Sequence, residues 1–128
     1  MVEDILKTDK ALDLKQDGDL FYIVMNQPDN KFSIPWINEF NNLLDKVEAT
    51  KGPGALVTIA TGSKIFHTGF DLEQWKTNHL QQFESFAMCQ HLLARLLTFP
   101  MPTMAVLNGH TYAGGLFLAM AHDFRTMR

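Results

Sequence analysis

Apolar residues follow two rhythms along this chain. Ala11 to Lys15 and Asp19 to Met25 are short apolar-rich runs that flank Gln16-Asp17-Gly18, and an Asp-Gly step between such runs predicts a β-hairpin. The second run, Leu20-Phe21-Tyr22-Ile23-Val24-Met25, is apolar throughout, so it is expected to form a strand buried on both faces. The turn-forming cluster Asn26-Gln27-Pro28-Asp29-Asn30 ends it. The rhythm then becomes helical. Ser33 is placed to cap, Pro35 fits a first turn, and Ile37, Phe40, Leu43, Leu44 and Val47 recur at helical spacing. This predicts a helix over 34–48, closed by Lys51-Gly52-Pro53-Gly54.

Ala55 to Ala60 reads as a buried strand ended by Thr61-Gly62-Ser63, and residues 65–72 as irregular chain. Helix is expected from near Asp71, with a break around His79, to Leu97. Phe83, Phe86, Leu92, Leu93, Leu96 and Leu97 should form its apolar side, and Pro100 and Pro102 stop it. Thr103 to Leu107 is a third buried strand, Asn108-Gly109 a turn, and Gly114 to His122 a short apolar helix. Phe124 to Arg128 then enters another strand. Strands alternating with helices, with no linker between them, predict a single layered α/β unit.

Composition narrows the class. Of 128 residues, 46% are hydrophobic and 20% charged, which excludes disordered and fibrous chains. A net charge of −3 gives no support to a nucleic-acid or membrane partner. Cys89 is the only cysteine, so an intrachain disulfide is excluded, and its leucine-rich surroundings suit a buried, inert thiol. No apolar run approaches the ~18 residues of a membrane span. Met1-Val-Glu-Asp-Ile-Leu-Lys resembles neither a signal nor a transit peptide, and the reading is a soluble intracellular domain.

Most routes to chemistry close quickly. The five histidines form no metal-binding pair at helical spacing, so no metal is expected. There is no Gly-x-Ser-x-Gly elbow, no Gly-x-Gly-x-x-Gly and no Walker lysine. Two segments remain. In Phe66-His67-Thr68-Gly69-Phe70-Asp71-Leu72, a glycine permits a sharp turn and Asp71 can cap the following helix. That leaves the Phe70 N–H free to bind a carbonyl or oxyanion. A plain strand–turn–helix joint explains the same residues. In Asn108-Gly109-His110-Thr111-Tyr112-Ala113-Gly114-Gly115, glycines open a helix whose first N–H groups lack partners. Tight packing of that helix on a strand explains them equally.

Taken together and in this order, the two segments resemble the oxyanion loops of the crotonase (enoyl-CoA hydratase/isomerase) superfamily. The first matches through Gly69-Phe70-Asp71, the second from Pro100-Met101-Pro102-Thr103 to Ala113-Gly114-Gly115, and Asp123 matches an Asp usual in the family. The Asn26 to Ser33 stretch resembles, more loosely, the family's loop near the adenine of coenzyme A. The resemblance implies a spiral of repeated ββα units, with residues 1–128 its N-terminal part. It also implies an acyl-CoA thioester as partner, coenzyme A entering as part of the substrate with no separate cofactor, and a trimer or hexamer.

The resemblance makes the Phe70 and Gly114 backbone N–H groups an oxyanion hole. Lys31, Phe66, His67, Thr68, Gly69, Asp71, Leu72, His110 and Gly115 are expected around the substrate. Hydratases of the family carry a Glu three residues past the second oxyanion glycine; here that position is Phe117, which cannot activate water. The family's Δ3,Δ2-enoyl-CoA isomerases, peroxisomal ones above all, tolerate an apolar residue there and use a Glu further on. The resemblance puts that Glu beyond Arg128, which implies a chain without its proton carrier. His110 is the residue best placed to substitute. A non-catalytic acyl-CoA-binding or interaction module is the alternative. Leu116 to Met120 is expected to leave apolar surface uncovered.

Overall fold

The computed structural model describes residues 2–127. The elements are α1 (Val2–Ile5), β1 (Leu12–Asp17), β2 (Leu20–Met25), β3 (Lys31–Phe32), α2 (Ile34–Glu48), β4 (Ala55–Ala60), β5 (Ile65–His67) and β6 (Gly69–Phe70). They continue as α3 (Leu72–Thr77), α4 (His79–Leu97), β7 (Thr103–Leu107), β8 (His110–Thr111), α5 (Gly114–Met120) and β9 (Phe124–Met127). β1 and β2 form the expected hairpin, with Leu12 opposite Met25 and Gly18 turning at φ +61°. β4, β7 and β9 then add in parallel, giving a five-stranded sheet in the order β1-β2-β4-β7-β9. Each parallel step needs a crossover, and the segments carrying α2, α4 and α5 supply them.

One face of this sheet is closed. Ser33 caps α2 by accepting the Trp36 N–H, and Trp36, Ile37, Phe40, Leu43, Leu44 and Val47 are buried together with Phe21, Ile23, Met25 and Leu56 from the strands. Arg95 of α4 fastens the two helices, donating to Asp45 Oδ1 at 2.7 Å, Glu48 Oε1 at 2.9 Å and Asn41 Oδ1 at 3.1 Å. Asn78 ends α3 and caps α4, which explains the break expected near His79. The buried stripe of α4 is Ser85, Cys89, Leu92 and Leu96; burial pushes the Cys89 thiol up to about 12.

Three expectations change. Of the apolar side expected for α4, Leu92 and Leu96 are buried and Leu93 packs on the core, but Phe83 and Leu97 are 73% and 64% exposed and Phe86 is also exposed, their places being taken by Ser85 and Cys89. β2 is not buried on both faces along its length: Leu20 is exposed and Tyr22 half-buried. On that outer face Ile5 of α1, an element the sequence reading lacked, and the half-buried Leu6 pack with Val24 and Ile59. The rest lines an apolar depression of about 520 Å³ with Val57, Met104 and Phe124. Residues 65–70, read as irregular, hold two short strands, β5 and β6.

Candidate active site

Three loops leave the C-terminal ends of β2, β4 and β7, and small ladders stitch them together. β3 pairs with β6 in parallel, matching Lys31 with Gly69 and Phe32 with Phe70. β5 pairs with β8, matching Ile65 with His110 and His67 with Thr111. Asn30 organises the first loop in the left-handed region at φ 49°, which Asn tolerates better than most residues. Its Oδ1 accepts the Gln27 N–H and its Nδ2 donates to the Phe66 carbonyl, each at 3.0 Å. Thr68 donates its N–H and hydroxyl to the Asp29 carbonyl at 3.2 and 3.1 Å. Asn108 holds the third loop to the second, donating to the carbonyls of Ala60 at 2.7 Å and Gly62 at 3.0 Å.

At the centre, backbone meets backbone. Gly69, at φ +94°, lies so close to Gly114 that a β-carbon on it would sit 2.8 Å from the Gly114 nitrogen. A β-carbon on Gly115 would run into the His67 carbonyl. The turn before α5 is forced: Ala113 adopts φ 47°, ψ −122°, a region that side chains resist. The Gly115 and Leu116 N–H groups bond back to the Tyr112 and Ala113 carbonyls, while Gly114, as the first helical residue, has no carbonyl a turn back within α5.

His67 is buried beneath this contact. Its Nδ1 accepts the Gly69 N–H at 3.0 Å, which assigns the ring proton to Nε2, and its carbonyl accepts the Tyr112 N–H at 3.0 Å. The ring lies 4.2 Å from Phe32 and 5.0 Å from Trp36, centroid to centroid. Burial among these rings lowers its pKa to about 3, so the imidazole is neutral. His67 Nε2 and Trp36 Nε1 are both buried without a hydrogen-bond partner.

The other end of α5 is fastened to the main sheet. His122 donates from Nδ1 to the Leu118 carbonyl at 2.7 Å and accepts the Thr58 hydroxyl at Nε2 at 2.8 Å. Its pKa is lowered to about 4, chiefly by burial. Asp123 and Thr103 bond reciprocally, the Asp123 N–H to Thr103 Oγ1 at 2.9 Å and the Thr103 N–H to Asp123 Oδ2 at 3.0 Å.

The residues singled out from sequence divide by depth. Phe66, His67, Gly69, Gly114 and Gly115 are buried; Lys31, Thr68, Phe70 and Asp71 are half-buried; Leu72 and His110 are exposed. Asp71 caps α3 through the Glu73 N–H, and Lys31 sits 3.5 Å from Asp29. Phe70 packs on Trp75 and Phe86, and His110 stacks on Tyr112 at 5.6 Å. Two hollows flank residues 63–65. One of about 630 Å³ runs along Asn26 to Asp29, and one of about 460 Å³ along Asn108 to Thr111. Sequence reasoning missed Asn30, Asn108 and Tyr112. Asn30 lay in a turn cluster, and Asn108 and Tyr112 in the second glycine segment, yet none of the three was given a role. Of the uncovered α5 surface expected, Leu116, Phe117 and Met120 are exposed, whereas Leu118 and Ala119 are buried. Among the described residues no group of three or more His, Cys, Asp or Glu side chains could hold a metal, and no helix could cross a membrane.

A mainly parallel sheet with an antiparallel edge hairpin, and two glycine turns meeting beyond its strand ends, is the crotonase-type α/β fold. The enoyl-CoA hydratase of Bacillus anthracis superposes on it with a TM-score of 0.86 at 23% identity, over 92% of this chain and 47% of that one. A sequence profile of the enoyl-CoA hydratase/isomerase family matches residues 15–128, and the chain belongs to that family. Enoyl-CoA delta isomerase 2, peroxisomal, of Arabidopsis thaliana is 35% identical over 125 residues, 90% of this chain and 51% of that protein. Enoyl-CoA delta isomerase 1, mitochondrial, of Mus musculus is 33% identical over 103 residues, 80% of this chain and 36% of that protein. The chain thus spans about half the length, or less, of these relatives.

Proposed function

We propose that these residues are the N-terminal part of a Δ3,Δ2-enoyl-CoA isomerase, binding the thioester and stabilising its enolate. The Phe70 and Gly114 N–H groups receive the thioester oxygen. A proton leaves the carbon beside the thioester, the double bond moves from the 3- to the 2-position as charge returns from the oxygen, and a proton is delivered to the far carbon. One such preorganised donor is worth roughly 3 kcal/mol of barrier. The observation that carries this reading is the backbone contact between Gly69 and Gly114, which brings the two donor turns together with no side chain between them.

Phe117, exposed on α5, favours double-bond migration over hydration, because an apolar ring activates no water. The proton carrier in this reading is the acidic residue that the resemblance puts after Arg128. The setting is fatty-acid β-oxidation. The compartment is the peroxisome, named for the Arabidopsis relative, and a tagged gene product distinguishes it from the mitochondrion named for the mouse one.

Calorimetric titration with hexanoyl-CoA and with coenzyme A tests the binding step. The thioester is expected to bind at least about tenfold tighter, a difference of about 1.4 kcal/mol. Gly115→Ala, which drives a methyl group into the His67 carbonyl, should abolish that preference. Equal affinities in the native chain overturn the reading. Binding with preference, but with no isomerisation of a 3-enoyl-CoA by the full-length gene product, favours a non-catalytic acyl-CoA-binding module instead.

A further inference from the structure

We infer that His67 is the positioning residue that sets the distance between the two donor turns, holding one through its ring and the other through its carbonyl. The inference rests on the proposed thioester site and names the part that gives it its dimensions. Two bonds from one buried residue carry it: the Gly69 N–H donates to His67 Nδ1 and the Tyr112 N–H donates to the His67 carbonyl, each at 3.0 Å. Gly69 precedes the proposed donor Phe70, and Tyr112 lies two residues before Gly114. The peptide at Gly69 needs such a tether, because a glycine at φ +94° has wide conformational freedom and would otherwise turn the Phe70 N–H elsewhere.

The ring is suited to this and to little else. It is wedged against Phe32 and Trp36, which restricts its rotation, and it stays neutral, so the Nδ1 lone pair remains available. Its Nε2 is buried with no partner, a cost an apolar side chain in the same aromatic pocket would avoid. An apolar side chain would, however, leave the Gly69 N–H without its acceptor. What a histidine supplies there is therefore the Nδ1 bond.

Two variants separate acceptor from filler: His67→Leu keeps similar volume without an acceptor, and His67→Asn restores an oxygen near the Nδ1 position. The probe is acetoacetyl-CoA, whose bound enolate absorbs in the near ultraviolet, with coenzyme A as the reference ligand. In His67→Leu the enolate band should vanish and the thioester-over-CoA preference fall at least about tenfold, and His67→Asn should recover most of both. A Leu variant with the native band and preference overturns the inference. So does a native protein whose imidazole nitrogen resonances show the proton on Nδ1, or whose Gly69 amide exchanges like an exposed one. If the native chain shows no thioester preference, the proposed function fails by itself. His67 is then judged by whether Gly69 and Tyr112 amide protection falls in the Leu variant and returns in the Asn variant. Should the Leu variant not fold, the native resonances and the Asn variant decide.

Discussion

Beneath α2 the molecule is held by side-chain volume; at the glycine turns it is held by the lack of it. Phe40, Leu44 and Val47 fill space against the sheet, and their shape is what that interface requires. At Gly69, Gly114 and Gly115 the requirement is reversed, since a single β-carbon would wedge the loops apart. Position there is kept by directed bonds, from Asn30 to Phe66, Gly69 to His67 and Tyr112 to His67. One region therefore tolerates volume-conserving exchange, and the other tolerates almost any side chain that points away but no added carbon that points in.

The contrast can be broken by experiment. The largest effect is expected from Leu44→Ala, which removes a fully buried side chain and should cost about 2–5 kcal/mol in urea unfolding. Molecules still folded should keep their preference for thioester over coenzyme A; a loss of preference would show that the two regions are not separable. Acid comes next, because two buried histidines stand at opposite ends of α5, His67 against the glycine turns and His122 against β4. His67 and His122 have pKa values near 3 and 4 in the fold against 6.5 as reference. The neutral ring is thus the native form, and below pH 6.5 the unfolded chain takes up protons that the fold refuses. Stability present above that pH should fall by about 1.4 kcal/mol per histidine per unit as the solution is acidified toward those values. His67→Asn should remove one such increment and leave that of His122, as read from thermal midpoints across a pH series. The smallest effect is a gain. Ala113→Gly relieves a strained backbone at φ 47° and should stabilise by about 1 kcal/mol with thioester preference unchanged. If stability does not rise, the strain assigned to the turn is wrong.

How far each region could be read from sequence follows the same division. α2 announces itself by period, because volume packing requires apolar residues at fixed intervals, and the hairpin, β4, β7 and the short helix at Gly114 by apolar runs bounded by turn residues. α4 misled: Phe83 and Phe86 outweigh Ser85 and Cys89 in any hydrophobic reading, yet the latter face the core. β3, β6 and β8 are two residues each, too short for any period, and exist because tertiary pairing draws them together. The half-open face of β2 was hidden because an apolar run does not say what covers it. At the site, glycine order and the resemblance it carries located both loops. The inward ring of His67 had no local signature, since its acceptor role depends on Phe32 and Trp36 from another element.

The seven residues of α5 span about 10 Å, between the His122 and Asp123 bonds to β4 and β7 at one end and the contact with Gly69 at the other. With both ends fixed, this helix acts as a strut whose length and phase are set together. One residue more or fewer would lengthen or shorten it by only about 1.5 Å but would rotate one end against the other by about 100°. Gly114 would swing off Gly69 even with every hydrophobic contact of the core intact. Insertions within α5 are therefore forbidden by angle rather than by volume.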